Sequence, residues 1–220
     1  MSGRTFPIFT LGLCLVMGAT YIWDPMVAYT ADHSCTPRTY YNNMGSAFRS
    51  LFSHADSQHI IGNSLSLFSL GMIMEMVHGH WRFMLICMYG GILGSLGWSA
   101  FEQDGRRLVG ASSCVYAVAS SYASHLLLNW NETPLKLLFA AALSFSISVD
   151  VLHYVYNRQD NIAYSAHLFG SLTGVLTGVI FLRNSVVHGY ELRVVSISCI
   201  FCLTLSVFLI LSSSCPTVSI

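Results

Sequence analysis

Charge, or rather its absence, constrains this chain more than any other feature. Marking every Asp, Glu, Lys and Arg leaves uncharged runs at 5–23, 57–74, 83–101, 108–131, 161–182 and 194–220, each at least eighteen residues long. Runs of that length can cross a bilayer as helices. A seventh stretch, about 135–156, reads LKLLFAAALSFSISVDVLHYVY and is mostly apolar, although Lys136 stands at its start and Asp150 lies inside it. Seven spans are therefore expected. A backbone in lipid must satisfy its own hydrogen bonds, so the spans should be α-helices, and the alternating strands of a membrane barrel are not visible. The fold class is thus all-α, a polytopic membrane helix bundle of about seven transmembrane helices forming a single domain over 1–220.

Composition supports the same reading. The 220 residues are 54% hydrophobic and 9% charged, against roughly 25% charged in a soluble domain, which excludes a soluble enzyme. Ten basic residues balance ten acidic ones, leaving no basic surface for nucleic acid. The opening MSGR and the run after it resemble a signal peptide, but the run is too long for an h-region and no small-x-small site follows, so it is read as the first span. The first interspan segment, about 30–56, looks like a packed interfacial element. Cys199 and Cys202 form a CxxC inside the last apolar run, where cysteine acts as a small hydrophobe, so no metal is expected there.

Ionisable residues inside spans mark function by default, and here they are His59, Glu75, His125, Asp150, His153 and His167. Glu75 ends its span beside HGH and is expected to snorkel to the interface. Asp150 and His153 lie three apart on one helical face and can satisfy each other. His125, near Asn129 and Trp130, is read as structural. His59 and Asn63, in HIIGN, share a face at i, i+4. His167 precedes Gly170, Gly174 and Gly178, a small-residue stripe that lets a second helix approach closely. Gly110-Ala111-Ser112-Ser113 opens the 108–131 run, with Tyr116 one turn after Ser112. A bland reading makes these small and hydroxyl-bearing residues helix-packing glue.

Parity argues otherwise. The three clusters fall on the second, fourth and sixth spans, which enter the membrane from the same side, and each lies within the first turn or two. At about 1.5 Å per residue all three reach a similar depth. A Ser, a His and a His/Asn pair at one level supply a nucleophile, a base and hydrogen-bond donors, which is what acyl transfer requires.

At these residues the sequence resembles the rhomboid family of intramembrane serine proteases. His54 and HIIGN at 59–63 resemble its second-span motif, GASSCVYA at 110–117 its serine motif, and AHLFGSLTG at 166–174 its histidine motif. MEMVHGHWR at 74–82, GSLG at 94–97 and HLLLNW at 125–130 look most like the animal secretory-pathway members, which carry six core helices (about 5–183 here) plus one C-terminal helix (about 194–213). The resemblance implies Ser112 as nucleophile, His167 as general base and acid, and His59, Asn63 and the Ser112 backbone N–H as oxyanion donors. Tyr116 would pack on the imidazole, Gly110 and Gly170 would bring the fourth and sixth helices together, and His54 would support the site. No metal or other cofactor is implied. The implied substrates are single-pass membrane proteins, growth-factor-like precursors among them, in the secretory pathway (Golgi or endoplasmic reticulum) or plasma membrane, with membrane lipid as the surrounding partner.

The sequence departs from the family pattern in two places, the serine motif and the first interspan segment. Ser113 stands where a Gly is usual, and Gly45 and Ser46 stand where Trp-Arg is usual, with Arg49 out of register. An inactive relative that binds transmembrane segments and controls their traffic is the alternative reading, and a small proton-relay transporter is a third. An N-terminus inside places five basic residues on each face, so the positive-inside rule is tied and the cytosolic N-terminus follows from the resemblance. Asn131 of the Asn131-Glu132-Thr133 sequon is then cytosolic and should stay unmodified. Cys35 and Cys215 then share the oxidising side, where a disulfide can join them.

Overall fold

The computed structural model describes residues 5–23, 48–101, 108–156, 162–187 and 189–214, with the side chains of Asp150, His153 and Ser214 outside that set. The first interspan segment up to residue 47, the Gly45-Ser46 departure, the Cys35–Cys215 pair and the Asp150–His153 pairing therefore lie outside the described residues.

Helices occupy all seven expected places: α1 Ile8–Trp23, α2 Ser57–His78, α3 His80–Phe101, α4 Ser112–Asn129, α5 Lys136–Tyr156, α6 Tyr164–Phe181 and α7 Glu191–Ser214. No β-strand occurs among the described residues. Five of the seven, α2, α3, α5, α6 and α7, are long and apolar enough to cross a membrane. At about 1.5 Å per residue α1 rises about 24 Å, short of a ~30 Å hydrocarbon core. Helix α4 is less apolar because it is enclosed by neighbours. Its Ser120 and Ser124 hydroxyls donate to the carbonyls of Ser171 (2.8 Å) and Val175 (2.6 Å) on α6, so they meet protein rather than lipid.

Small residues set the central packing of α3, α4 and α6. A Cβ added at Gly174 would lie 2.2 Å from the Ala117 carbonyl oxygen, and one at Gly178 2.7 Å from Ser124 Oγ. On α3, a Cβ at Gly90 would meet Ala117, one at Gly91 would meet Cys114, and one at Gly97 would meet the Phe169 ring. Without a hydrophobic driving force between helices in lipid, such backbone-to-backbone approach and its interhelical hydrogen bonds hold the bundle together. Helix α7 packs on α3 and α6 through buried Leu209, through Phe208 against Phe101, and through Ser213 Oγ donating to the Leu96 carbonyl at 3.1 Å. Helix α5 has no buried side chain among those described.

Local signals explain the helix ends that frame the site. Asp56 caps α2, its carboxylate accepting from the His59 N–H at 2.8 Å, an arrangement that satisfies a donor the helix leaves open. Within α2 the backbone widens to a π-turn over Leu67–Gly71, and Tyr122 of α4 donates its hydroxyl hydrogen to the Leu70 carbonyl at 2.8 Å. Gly79, at φ 93°, ends α2 and lets α3 begin at once, the left-handed position that favours glycine. The 108–131 run starts its helix only at Ser112 because Gly110 turns the chain at φ 109°.

Glu75 departs from the sequence expectation. It does not snorkel: its side chain is fully buried and caps α1. Its carboxylate accepts from the backbone N–H groups of Phe9 (2.8 Å) and Thr10 (2.7 Å), from the Thr10 hydroxyl (2.6 Å), and pairs with His80 Nδ1 at 2.5 Å. The helix N-terminus presents unpaired donors and a positive dipole end, and in a dry interior an inward carboxylate is the group that answers both.

Candidate active site

The site lies where α2, α4 and α6 begin. His59 is the third residue of α2, Ser112 the first of α4 and His167 the fourth of α6. The close packing of α4 on α6 brings two of them together: His167 Nε2 lies 3.0 Å from Ser112 Oγ. The spacer is Gly170, where a Cβ would stand 2.6 Å from the Ser113 carbonyl oxygen. Tyr116, one turn after Ser112, stacks on the imidazole with ring centres 4.1 Å apart and planes 14° apart.

Gly110 acts at a different contact from the one expected. It faces α2 and not α6: a Cβ there would fall 2.6 Å from His59 Cε1 and 2.7 Å from His59 Nε2. Its N–H donates to the Ser50 carbonyl at 2.8 Å, tying the turn before Ser112 to the segment before α2. The positive φ and the ring in the Cβ position both demand glycine.

Two buried nitrogens at this end have no partner among the described residues. Asn63 is buried on α2 and its Nδ2 makes no hydrogen bond, although it lies 3.4 Å from the position a Gly110 Cβ would take. His54 is only 2% exposed, its ring 5.1 Å from that of His59. Its Nδ1 lies 3.2 Å from the Phe52 carbonyl, so Nδ1 carries the proton and the partnerless Nε2 is a bare acceptor. Burial, with His59 adding to it, pushes the His54 pKa down to about 4 against the opposing pull of the Phe52 carbonyl and Asp56. His54 is therefore neutral at pH 7. Leaving a buried polar atom unpaired costs about 1–3 kcal/mol, so two such atoms, one on a residue whose ring meets His59 and one a turn after it on α2, concentrate that expense around His59.

Ser113 does not crowd Ser112. Its side chain is buried between α3 and α6, its Oγ 3.4 Å from the Gly91 carbonyl and its Cβ filling the space Gly94 leaves empty. The extra hydroxymethyl group is absorbed by a glycine on the neighbouring helix.

Chemically, the arrangement holds a hydroxyl within hydrogen-bond reach of an imidazole nitrogen, so the ring can take the hydroxyl proton as the oxygen attacks. The open N–H groups of the α4 N-terminus and the Asn63 amide are donors of the kind that stabilise an oxyanion. Among the described residues no cluster of three or more His, Cys, Asp or Glu is placed to hold a metal ion, and Cys199 and Cys202 are free thiols on α7.

Two further histidines, His78 and His125, form a separate system at the opposite end. His78 Nδ1 accepts from the Arg183 N–H at 2.9 Å, so His78 Nε2 donates to His125 Nδ1 at 3.1 Å. His125 Nε2 then donates to Thr133 Oγ1 at 3.1 Å, and the Thr133 hydroxyl donates to the Asn129 carbonyl at 2.6 Å. His125 is structural, as expected. Its partner His78 was not singled out from sequence, nor was Tyr164, whose ring sits edge-on to His167 at 6.3 Å. The i, i+3 spacing of Tyr164 and His167 was the available signal.

Comparison with known proteins bears on the same residues. A family model described as Rhomboid domain matches residues 41–184, which include all three helix starts. The chain is 31% identical over 156 residues to Rhomboid-related protein 1 of Caenorhabditis elegans, covering 69% of this chain and 43% of the relative. It is 32% identical over 144 residues to Rhomboid-related protein 3 of Homo sapiens (61% and 35% covered) and 33% identical over 135 residues to RHOMBOID-like protein 1 of Arabidopsis thaliana (61% and 34% covered). The matches thus span less than half the length of these relatives.

Proposed function

The chain belongs to the rhomboid family and is an integral multi-pass membrane protein; from that premise we propose that it is an intramembrane serine endopeptidase working through a Ser112–His167 dyad. The observation that carries this reading is the 3.0 Å separation of His167 Nε2 and Ser112 Oγ at the meeting point of two helix N-termini. A serine hydroxyl is a weak nucleophile at its free pKa and needs such a neighbouring base.

In the proposed reaction Ser112 Oγ attacks the scissile carbonyl while its proton passes to His167 Nε2. The negative oxygen is met by the Ser112 N–H, the Asn63 amide and the His59 ring. His167 returns the proton to the leaving amine, and a water activated by the same imidazole releases the acyl group from Ser112. His59 meets the glycine turn that leads into Ser112, which ties oxyanion donor and nucleophile to one rigid turn.

The dyad lies within the first turn of α4 and of α6, at the face where α2 also begins, so the substrate is a single-pass membrane protein cut near that end of its span. With a cytosolic N-terminus this is the lumenal or exterior end, in the secretory pathway or at the plasma membrane. A helical peptide bond is shielded, and unwinding is easier where Gly or Pro stands, at about 1 and 3 kcal/mol less favourable than Ala in a helix. Substrates therefore carry small or helix-breaking residues there, growth-factor-like precursors being the class the resemblance suggests.

Reconstitution with a designed single-pass substrate, comparing the protein with its Ser112→Ala form, tests the reading. Mass spectrometry should place the cut in the outer part of the span, and replacing its helix breakers with Leu should slow cleavage. Absence of Ser112-dependent cleavage and of fluorophosphonate labelling would favour the inactive, segment-binding relative. For orientation, a glycosidase-sensitive shift at Asn131 would reverse the topology.

A further inference from the structure

The imidazole of His167 is short of the usual third group. Among the described residues no carboxylate bonds it: its hydrogen bond goes to Ser112. Its ring is bounded on one face by Tyr116 and approached edge-on by Tyr164, at 6.3 Å between centres with planes at 73°, within the range of T-shaped aromatic pairs. Rotation about the His167 Cβ–Cγ bond would tilt the imidazole plane away from its parallel stack on Tyr116 and change its edge-to-face angle with Tyr164. Tyr164 is in turn met edge-on by Tyr154 of α5, at 5.0 Å and 75°. Helix α5 is otherwise loosely held, meeting α4 through Phe139 stacked on Tyr122 at 5.8 Å, with no described side chain buried.

We propose that Tyr164, backed by Tyr154 from α5, is the positioning residue that holds the His167 imidazole where a triad would use a carboxylate, so that the place of α5 is coupled to the orientation of the base. Its catalytic consequence rests on the protease reading above; its structural content does not. The physical basis is that edge-to-face contacts restrict a ring without taking its proton, and that misplacing a base by about 1 Å lowers a rate as much as ~10²-fold. Because Tyr154 acts through Tyr164, losing both should cost no more than losing Tyr164.

Two readouts test this on the full chain in detergent micelles: the ¹⁵N imidazole signals of His167, assigned with His167→Ala, and the rate of Ser112 labelling by a fluorophosphonate together with kcat and KM on a transmembrane substrate. Tyr164→Ala should broaden or split the His167 signals and lower labelling and kcat roughly tenfold or more, with KM nearly unchanged. Tyr164→Phe should restore both. Tyr154→Ala, at a position 43% exposed, should keep the fold and lower labelling roughly threefold, and the double variant should match Tyr164→Ala. Should Tyr164→Ala fail to fold, the Tyr154→Ala signals decide. Unchanged His167 signals in a folded variant, or effects of the two substitutions that multiply, would overturn the proposal. A wild-type protein without Ser112-dependent labelling would instead refute the protease reading, and the His167 signals would still decide the positioning role.

Discussion

The two ends of the helix bundle treat their histidines in opposite ways. At the end where α2, α4 and α6 finish, both ring nitrogens of His78 and of His125 are engaged, and every proton in the chain from the Arg183 N–H to the Asn129 carbonyl has a direction. Asn129 closes the same end, accepting from the Ser185 N–H at 2.7 Å and donating to the Arg183 carbonyl at 3.2 Å. Where those helices begin, His54 Nε2 and Asn63 Nδ2 are buried and without a partner among the described residues, and His167 is bonded to a hydroxyl that a reaction would take from it. A saturated network locks helices together; an unsaturated one leaves bonding capacity for something not yet present. The contrast holds for the histidines rather than for every polar group, since Asn184 Oδ1 at the His78 end is also buried without a partner among the described residues.

The contrast breaks most sharply at the dyad. Ser112→Ala or His167→Ala should remove proteolysis by at least roughly 10⁴-fold while thermal unfolding in detergent stays near wild type; full activity in either variant would refute the site. Asn63→Ala should lower kcat by about 10²–10³-fold, with stability unchanged or raised because an unpaired buried amide is removed. A matching loss of stability and activity would instead assign Asn63 to the scaffold.

The scaffold shows the reverse pattern. Glu75→Ala orphans the Phe9 and Thr10 N–H groups and should destabilise the fold by roughly 3 kcal/mol, read as a lower unfolding midpoint, while kcat at a permissive temperature changes little. The smallest effect is expected at Ser113→Gly, which should leave kcat within about twofold, since its side chain points at α3, and destabilise by ~1 kcal/mol for the space it empties. A large fall in kcat with stability intact would mean that Ser113 faces the chemistry.

Much of this was legible in one dimension. The seven helices follow from the spacing of charges, because lipid admits no unsatisfied backbone and tolerates few charges along a span. The common level of Ser112, His167 and His59 follows from the parity of helices entering from one side. The closeness of α4 and α6 follows from the stripe of Gly170, Gly174 and Gly178, because only residues without a Cβ let the backbones approach. Asp56 as a cap was readable from its place before SQHIIGN.

Tertiary structure alone decided which partner each polar group finds. Glu75 at a span end suggests a snorkelling carboxylate, yet it turns inward because a distant segment brings two open N–H groups within 3 Å. Gly110 meets His59 rather than α6, and Ser113 fits because Gly94 lies opposite, contacts between residues far apart in the chain that no helical period encodes. His78 and His125, forty-seven residues apart, become one relay only when α2 and α4 end side by side. Periodicity and charge are properties of a segment and survive in the linear sequence; hydrogen-bond saturation depends on which segments meet, and that is settled only when the helices pack.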